Sequence, residues 1–403
     1  MENHIQNLHE VLSQVEGYVY PNEIELNWSV LIVLYPYITG LVAGAFILAS
    51  LERIFKVHIL KPTYGIALLT ALSFMLVATL PLVSHLGRPE RAYEIMITPH
   101  LSSAMAIFGF VYLWYLLVVL LLEIWFDYRR DMVIWASQST GFKKSLYKAL
   151  SLWTTDISPK AIALDDKMGY IVTLIGVPSA FLLHGYVGFI FGSIKANPWW
   201  STVLMPVIFL FSAIVSGIAL VMMIYIVLSK IRKIKIDMNC LDTIASYLFY
   251  ILVIDFVLEG LDQIHRIYEA EESFEVLHKL VFGKLFYTLF IFQGLIGTII
   301  PLVTLATFQF YKPKENIRKP IYLITAILVL IGVFFMRWNV VVGGQLFSKS
   351  FYGYTSFKIG LIGTEGYLMA AVWLIVPFLI LGFLLWLLPP WKKADSEPEI
   401  SEV

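Results

Sequence analysis

The sequence predicts an all-α protein, a polytopic transmembrane helical bundle of about nine spans, and three observations support this fold class. Of the 403 residues, 59% are hydrophobic and only 14% are charged, whereas soluble domains carry roughly a quarter charged residues. Nine apolar stretches match the roughly 20 residues that a helix needs to cross the hydrocarbon core. The basic residues between these stretches alternate in number along the chain, as they do in membrane proteins of fixed orientation.

The apolar stretches define the predicted spans and their connections. The nine spans are 29–51, 63–84, 102–126, 168–191, 202–228, 241–263, 283–307, 321–342 and 365–388. The segment 1–28 precedes them, the tail 389–403 follows, and the long connection 127–167 joins the third span to the fourth.

The distribution of Lys and Arg predicts the orientation. The connections after odd-numbered spans, together with the C-terminal tail, contain 20 of these residues. The connections after even-numbered spans, together with the N-terminal segment, contain 7. Because cytoplasmic loops carry the basic excess, we expect a multi-pass protein of the cytoplasmic membrane with its N-terminus outside and its C-terminus in the cytoplasm. The terms outer and inner follow this orientation in the paragraphs below.

Two segments outside the spans have helical spacing of apolar residues. In the N-terminal segment these residues are Ile5, Leu8, Leu12 and Val15. In the connection 127–167 they are Phe142, Leu146, Leu150 and Trp153. Each pattern predicts a short amphipathic helix lying on the membrane surface or on a partner, the second of them at the inner leaflet. For the first segment, a loose terminus is the alternative.

The composition excludes several classes of function. A net charge of zero provides no basic field for nucleic acid. The single cysteine, Cys240, cannot hold an iron–sulfur cluster, which takes about four thiolates. A b-type haem needs two histidines facing each other deep in the bundle, and only His184 lies well inside a span. We therefore expect no haem and no cluster in this chain.

Ionisable residues within or at the ends of the spans are the primary site candidates, because charge is costly in a bilayer and usually faces the bundle interior. On the outer side we find His85, Arg88, Arg91, His184, Asp255, Glu259, Asp262, Lys284, Arg337 and Glu365. The inner half of the membrane is predicted to be almost bare of charge. A polar site is therefore expected near the outer face.

Three acidic residues form a stripe on the sixth span. Asp255, Glu259 and Asp262 have the spacing i, i+4, i+7, which places them on one helix face. Such carboxylates repel each other unless a cation or a proton joins them. Arg337 and Lys284 are candidate partners, so the stripe is interpreted either as a proton relay or as a structural ion-pair network.

Structural explanations also exist for the other candidates. His184 could be a core histidine with satisfied hydrogen bonds, and Arg88 an anchor at the membrane interface. Tyr35 in the first span is also explained by packing or by the aromatic belt. The set is more informative than any single member because all of it falls on one side.

Five motifs, in order along the chain, carry a resemblance to a known family. They are Gly40 to Phe46 (GLVAGAF), Ser84 to Arg91 (SHLGRPER), His184 to Gly188 (HGYVG), Asn197 to Trp200 (NPWW) and Ser212 to Gly217 (SAIVSG). In these motifs the chain resembles the NrfD/PsrC family of quinone-interacting membrane subunits. The segments Arg337–Trp338–Asn339, Gly343–Gly344–Gln345 and Glu365–Gly366 resemble its longer branch, which includes the DsrP, HybB and HmcC types. Among these, the DsrP type, from the DsrMKJOP complex of sulfate reducers, is the one that we expect the chain to match.

The resemblance implies an architecture and partners. It implies two four-helix bundles, 29–191 and 202–342, followed by the ninth helix 365–388, with no redox centre in the chain. It implies a menaquinone site near the outer face beside a ferredoxin-like iron–sulfur subunit, with a multihaem cytochrome c and other membrane subunits as further partners. In the polysulfide reductase type, a histidine in the first span and a tyrosine in the fourth are associated with the quinone. Tyr186 matches that tyrosine, whereas Tyr35 stands in place of the histidine.

The expected function is therefore exchange of electrons between menaquinone and an iron–sulfur partner, within dissimilatory sulfur metabolism. Quinone chemistry moves two electrons and two protons, so the protein must supply hydrogen-bond donors and acid–base groups. The expected quinone-binding residues are Tyr35, His85, Arg88, His184, Tyr186 and Arg337. The expected proton-handling residues are His184, Asp255, Glu259, Asp262 and Glu365.

Two other functions remain open at this level. A secondary transporter of a small anion could use Arg88, His184 and Arg337, but a transporter needs charged groups near the midplane and access from both sides. The nearly bare inner half argues against it. A purely structural membrane anchor for redox subunits would bind no quinone, so extraction of quinone from the purified protein distinguishes the three functions.

The orientation can be tested with reporter fusions at Asn3 and Ser401. We expect a fusion at Ser401 to be active only with a reporter that works in the cytoplasm, and a fusion at Asn3 only with one that works outside, because the basic excess lies on the C-terminal side. A Ser401 fusion active only in the external compartment would overturn the orientation.

Overall fold

The computed structural model of the protein describes residues 15–24, 26–269, 273–357 and 360–392. Within these residues nine helices are long and apolar enough to cross a membrane, which confirms the predicted number of spans. In chain order, spans 1 to 9 are Val30–Arg53, His58–His85, Ala104–Gln138, Pro159–Gly192, Met205–Arg232, Met238–His265, Tyr287–Phe310, Glu315–Gln345 and Tyr367–Lys392.

Nine crossings within the described residues would place the start of span 1 and the end of span 9 on opposite sides of the membrane. We call the side on which span 1 begins the N side, and the side on which span 9 ends the C side. Shorter elements lie between the spans: the helices Glu94–Ile97, Gly141–Leu150 and Phe274–Phe282. Two spans contain π-helical segments, Tyr115–Leu121 and Tyr287–Ile299.

Span 1 lies at the centre of the bundle. It packs against spans 2, 4, 5, 8 and 9, and most of its residues are buried, from Val30 to Ser50. Because it has neighbours on every side, its apolar residues do not form the single stripe that a surface helix shows. Spans 2 and 4 pack on it, and span 3 packs on both of them to complete a first group. Spans 5 to 8 contact one another in a second group, and span 9 packs on span 2.

Glycines allow the two groups to approach closely where span 1 meets span 5. A Cβ atom on Gly217 would lie 2.3 Å from the backbone carbon of Gly44. A Cβ atom on Gly44 would lie 2.1 Å from the carbonyl oxygen of Ala213. Small residues at such crossings let helix backbones pack against each other, which is a principal source of helix association in lipid.

A two-stranded sheet joins distant parts of the chain on the N side. Strand β1 (Glu16–Tyr18) pairs antiparallel with strand β2 (Tyr352–Tyr354). Beside it, the side chain of Gln345 accepts a hydrogen bond from the Trp28 amide at 3.1 Å. Since β1 precedes span 1 and β2 lies between spans 8 and 9, their pairing requires an even number of crossings between them. The eight spans between the two strands satisfy this requirement.

The connection predicted at 127–167 is shorter in the structure. Span 3 continues to Gln138 and span 4 already begins at Pro159. The charged residues that indicated a loop instead form pairs across the two helices. The Arg129 Nε–H makes a bifurcated hydrogen bond to the two oxygens of the Asp165 carboxylate, at 2.9 and 2.8 Å. Paired in this way, the charges allow both helices to extend beyond the apolar stretch.

The predicted helix within this connection is present as Gly141–Leu150. Leu146 and Leu150 pack against the core, whereas Phe142 is exposed. Trp153 does not share their helix face, because it follows the end of the helix with a positive φ of 57°.

The N-terminal amphipathic helix was predicted mainly on Ile5, Leu8 and Leu12, which lie outside the described residues. The described part of segment 1–28 contains β1 and the 3-10 turn Pro21–Glu23. Most of the tail 389–403 also lies outside the described residues.

We expect Gly217→Ala to lower the thermal unfolding midpoint of the protein in mild detergent. The added methyl group has no room against span 1, and overpacking of this kind costs about 1–3 kcal/mol. Gly382→Ala in span 9 is the matched control, since no heavy atom lies within 4 Å of its Cβ position. Equal midpoints for the two variants would contradict the close approach of spans 1 and 5.

Candidate functional site

A cavity of about 430 Å³ lies at the N-side ends of spans 5 to 8. The helix Phe274–Phe282 forms one of its walls. Most of the lining is apolar and includes Phe256, Leu277, Leu289, Phe290 and Met336. The polar lining residues are Glu259, Asp262, Gln263, His278, Gln293, Thr298 and Asn339. A cavity with apolar walls and a few convergent polar groups has the general composition of a small-molecule site.

Three polar side chains of the cavity form a hydrogen-bonded chain. The Asn339 amide nitrogen donates to Gln293 Oε1 at 2.7 Å, and Gln293 Nε2 donates to Glu259 Oε2 at 3.1 Å. Because the Glu259 carboxylate only accepts hydrogen bonds, Gln293 must point its nitrogen toward Glu259 and its oxygen toward Asn339. Asn339 Oδ1 is left buried without a hydrogen-bond partner, so the cavity lining contains an unused acceptor.

The local backbone structure of spans 7 and 8 brings these hydrogen-bonded side chains together. Gln293 lies within the π-helical segment Tyr287–Ile299, and such segments often occur at functional positions. One helical turn further, Gly297 contacts Gly332 so closely that a Cβ atom would lie 2.1 Å from the opposing Cα. Spans 7 and 8 therefore approach each other near Gln293, which brings Asn339 within its reach.

The acidic stripe of span 6 faces the interior of the second group of spans. Glu259 and Asp262 line the cavity, and Asp262 accepts a hydrogen bond from Thr202 at 2.8 Å. Asp255 lies one turn deeper, is 5% exposed, and has one carboxylate oxygen without a partner. The stripe is thus a buried feature and not a solvated surface.

A second centre contains a fully buried cation. Arg337 of span 8 and His184 of span 4 are both 0% exposed. Arg337 Nη2 lies 3.0 Å from His184 Nε2 and donates to Ser212 Oγ at 2.6 Å and to the Phe209 carbonyl at 3.2 Å. The guanidinium also lies over the Phe209 ring, 3.9 Å from its centroid. Neutral dipoles and a π face therefore solvate this charge.

The contact with Arg337 fixes the role of each nitrogen of His184. A guanidinium only donates, so His184 Nε2 accepts and the ring proton lies on Nδ1. His184 Nδ1 has no partner. Gly40 of span 1 leaves the space for this ring, since a Cβ atom there would lie 3.1 Å from His184 Cε1.

Neither predicted cationic partner forms an ion pair with the acidic stripe. Among the described residues, no carboxylate pairs directly with Arg337, although Asp255 and Glu259 lie near enough to act on it electrostatically. Lys284 lies outside span 7 and pairs with Glu16 at 3.4 Å. Within the described residues no direct ion pair joins the stripe to Arg337 or Lys284, and Arg337 is a partner of Asp255 and Glu259 through electrostatic interaction alone.

The remaining predicted residues lie in separate places. His85 Nδ1 approaches Glu365 Oε1 at 3.1 Å beside span 9, and Arg88 is exposed. Tyr186 is half-buried next to Phe189, because two residues rotate it about 200° around span 4 from His184.

Tyr35 is buried in span 1, with its ring 6.0 Å from that of Phe108. It lies near Arg337 and so belongs to the surroundings of the buried cation. Arg337 therefore contacts His184 and lies near Tyr35, whereas no described contact brings His85 or Tyr186 to it.

The prediction that the inner half is almost bare of charge is wrong. On the C side Glu123 is 0% exposed, and Arg129 and Asp165 are also buried. Arg53 pairs with Asp127 at 3.1 Å. The signal was present in the sequence, because Glu123 interrupts the apolar stretch 102–126.

The cavity also contains residues that the sequence did not single out. Gln293 and Asn339 join Glu259, and His278 contributes from the helix Phe274–Phe282. Amides within apolar spans are a usable signal, since an unpaired amide is costly in a bilayer. The place of His278 depends on the fold of the connection between spans 6 and 7.

The spans, the buried charges and the N-side cavity define a multi-pass membrane protein with ionisable groups enclosed among its helices. The family model described as "Polysulphide reductase, NrfD" matches residues 20–349. The chain therefore belongs to the NrfD family, as its motifs predicted.

Curated relatives support this membership. A protein of Mesobacillus selenatarsenatis named as a subunit of selenate reductase is 27% identical over 326 residues, which cover 78% of this chain and 73% of the relative. A Halobacterium salinarum protein, provisionally named as a membrane subunit of dimethyl sulfoxide reductase, is 26% identical over 77% of this chain and 67% of its own. The NrfD homolog of Haemophilus influenzae is 24% identical over 80% and 95% of the two chains. Assignment to the DsrP type stays a prediction.

We expect Ser212→Ala to destabilise the protein by about 1.5–3 kcal/mol, because it removes an acceptor from a buried cation. Ser216→Ala is the matched control: Ser216 lies one turn further on the same helix, equally buried, and donates only to the Ala213 carbonyl at 3.1 Å. Chemical or thermal unfolding in mild detergent measures the difference. A smaller loss for Ser212→Ala than for Ser216→Ala would contradict the role assigned to Ser212.

Proposed function

We propose that this chain is the quinone-reactive membrane subunit of a multisubunit reductase, with menaquinone bound in the N-side cavity. The observation that carries the proposal is the apolar cavity ending at the chain Glu259–Gln293–Asn339. The names of the relatives, which describe subunits of selenate and dimethyl sulfoxide reductases, support a place in such a complex.

The residues of the cavity fit a quinone. Its volume of about 430 Å³ lies within the range of small-molecule sites, and its aromatic and aliphatic walls suit an isoprenoid tail and an aromatic ring. The unpartnered Asn339 Oδ1 offers an acceptor to a hydroxyl group. His278, which also lines the cavity, offers a donor or an acceptor. When bound, the quinone supplies two-electron chemistry coupled to two protons.

The chain itself supplies binding and acid–base groups. Gln293 holds the Glu259 carboxylate in place, and Thr202 does the same for Asp262. Two carboxyl groups one turn apart on a buried helix face interact strongly. Glu259 is the group that we assign to proton exchange at the cavity, with Asp262 between it and the N-side surface.

The electrons must come from or pass to a partner, because the only cysteine is Cys240 and a cluster takes about four thiolates. We propose a ferredoxin-like iron–sulfur subunit on the N side, next to the cavity. A multihaem cytochrome c partner and a role in dissimilatory sulfur metabolism are further predictions from the resemblance to the DsrP type. The predicted orientation makes the N side the outer face.

Quinone content separates this function from its rivals. The complex would be purified in mild detergent and its lipids extracted for quinone. We expect bound menaquinone in the complex, whereas a small-anion transporter or a structural anchor would bind none. The buried charges on the C side remove the earlier argument against a transporter. The quinone measurement therefore decides between the three functions.

We expect Glu259→Gln to lower quinol-dependent turnover of the assembled complex by about 100-fold or more, since a general acid–base group contributes about 10²–10⁴-fold. The amide retains an acceptor for Gln293, so bound quinone should be kept. Glu275→Gln is the matched control, because Glu275 is exposed on the helix Phe274–Phe282 and does not line the cavity. Full turnover in an assembled Glu259→Gln complex would refute the assignment.

A further inference from the structure

A second group of buried polar residues lies on the C side of spans 1 to 4, away from the cavity. At its centre Glu123 of span 3 is 0% exposed. One of its carboxyl oxygens, Oε2, makes no hydrogen bond of good geometry, although the Tyr64 hydroxyl lies close enough to interact with the carboxyl group. A buried carboxyl group with an unused oxygen is costly when charged, and the quinone chemistry proposed above makes no use of it.

The contacts of Thr173 are compatible with either protonation state of this carboxyl group. Thr173 Oγ1 lies 2.8 Å from Glu123 Oε1 and 2.8 Å from the Gly169 carbonyl oxygen. A hydroxyl group has one hydrogen, and a carbonyl oxygen only accepts. Either the hydroxyl shares its hydrogen between the two oxygens, or it donates to Gly169 while the acid form of Glu123 donates to Thr173. The geometry therefore accommodates a proton on Glu123.

The charged groups around Glu123 come from each neighbouring span. Arg53 of span 1 donates to the Tyr64 hydroxyl of span 2 at 2.8 Å and to Asp127 of span 3 at 3.1 Å. Tyr115, two turns deeper on span 3, is fully buried, and its hydroxyl has no partner. Arg53 is the cation of this group, and Asp127 already engages it.

Arg53 and Asp127 connect the group to the C-side surface. Their side chains are 14% and 11% exposed, and Arg53 also reaches the backbone carbonyl of Asp166, at the exposed start of span 4. Asp127 lies one helical turn from Glu123, a rise of about 6 Å. A proton entering from C-side water therefore meets Asp127 before it meets Glu123.

The position of Arg53 depends on a glycine in span 4. A Cβ atom on Gly169 would lie 2.1 Å from Arg53 Nη2, so the guanidinium lies directly against the helix backbone. The absence of a side chain here lets spans 1, 3 and 4 enclose the carboxyl group while Arg53 stays at its edge.

We propose that Glu123 is a proton-binding site that exchanges with the C side of the membrane through Asp127. In the binding step, a proton from C-side water adds to the Glu123 carboxylate and forms the carboxylic acid; release is the reverse. No electron is transferred and no other bond changes. This site is separate from the cavity and does not depend on quinone binding there.

Dicyclohexylcarbodiimide is a suitable probe, since it reacts with protonated carboxyl groups in apolar surroundings. The carboxylic O–H adds across a carbodiimide N=C bond, and an acyl shift from oxygen to nitrogen then gives a stable adduct of the full reagent mass. The complex would be placed in lipid vesicles of known orientation, with the pH set independently on the two sides. Mass spectrometry of the peptide containing Glu123 measures the adduct.

We expect labelling at Glu123 to fall several-fold as the C-side compartment is made alkaline and to be insensitive to the pH of the N side. Glu123→Gln should remove the adduct from this peptide. The measurement on the unaltered chain decides the matter even if that variant does not assemble. Absence of the adduct at every C-side pH, or an adduct that follows the N-side pH, would overturn the proposal.

A second pair of variants tests the role of Asp127. After the C-side compartment is rapidly made alkaline, the yield of adduct at Glu123 should fall several-fold more slowly in the Asp127→Asn variant than in the unaltered chain. Asp166→Asn is the matched control, because its side chain is exposed on the same side, and it should respond at the rate of the unaltered chain. Equal rates for both variants would exclude the route through Asp127.

Discussion

The solvation of Arg337 by groups of the protein itself is the interaction on which the centre of this structure depends. An unsatisfied polar group costs several kcal/mol in a bilayer core, so a fully buried guanidinium must find its partners within the chain. Its partners come from spans 4 and 5, while glycines of span 1 leave room for them. Burial of this cation therefore requires that the two groups of spans pack against each other.

The spans could be predicted from the sequence because hydropathy acts locally and the bilayer sets one length. The C-side ends of spans 3 and 4 could not be predicted. Arg129 and Asp165 each indicate a loop in the sequence, but in the structure they pair with each other and both helices extend past the apolar stretch. The site was predictable only in part. The acidic stripe on span 6 consists of residues close in sequence and could be predicted. The hydrogen bond between Gln293 and Asn339 joins residues 46 positions apart and could not. The pairing of His184 with Arg337 spans 153 positions.

The polar groups are divided between the two sides of the membrane and between the two groups of spans. Glu259 and its amide partners lie on the N side among spans 5 to 8, while Glu123 lies on the C side among spans 1 to 4. Between them, Arg337 and His184 occupy the junction. Each centre is held by its own hydrogen bonds, but Arg337 also acts electrostatically on Asp255 and Glu259, so the junction and the cavity are coupled.

The pairing of β1 with β2 has a consequence for biogenesis. Ser350 donates to the Tyr18 carbonyl across 332 residues of chain, and at usual rates of translation these two parts are made on the order of 20 to 60 seconds apart. The first strand therefore emerges with an open edge that nothing covers until eight spans have been inserted. Because β1 has only three residues, its open edge offers few hydrogen bonds for pairing with other strands before β2 is made. Closure of the sheet then reports that insertion has reached the eighth span, and a chain arrested earlier would present a free strand to the proteases of that compartment.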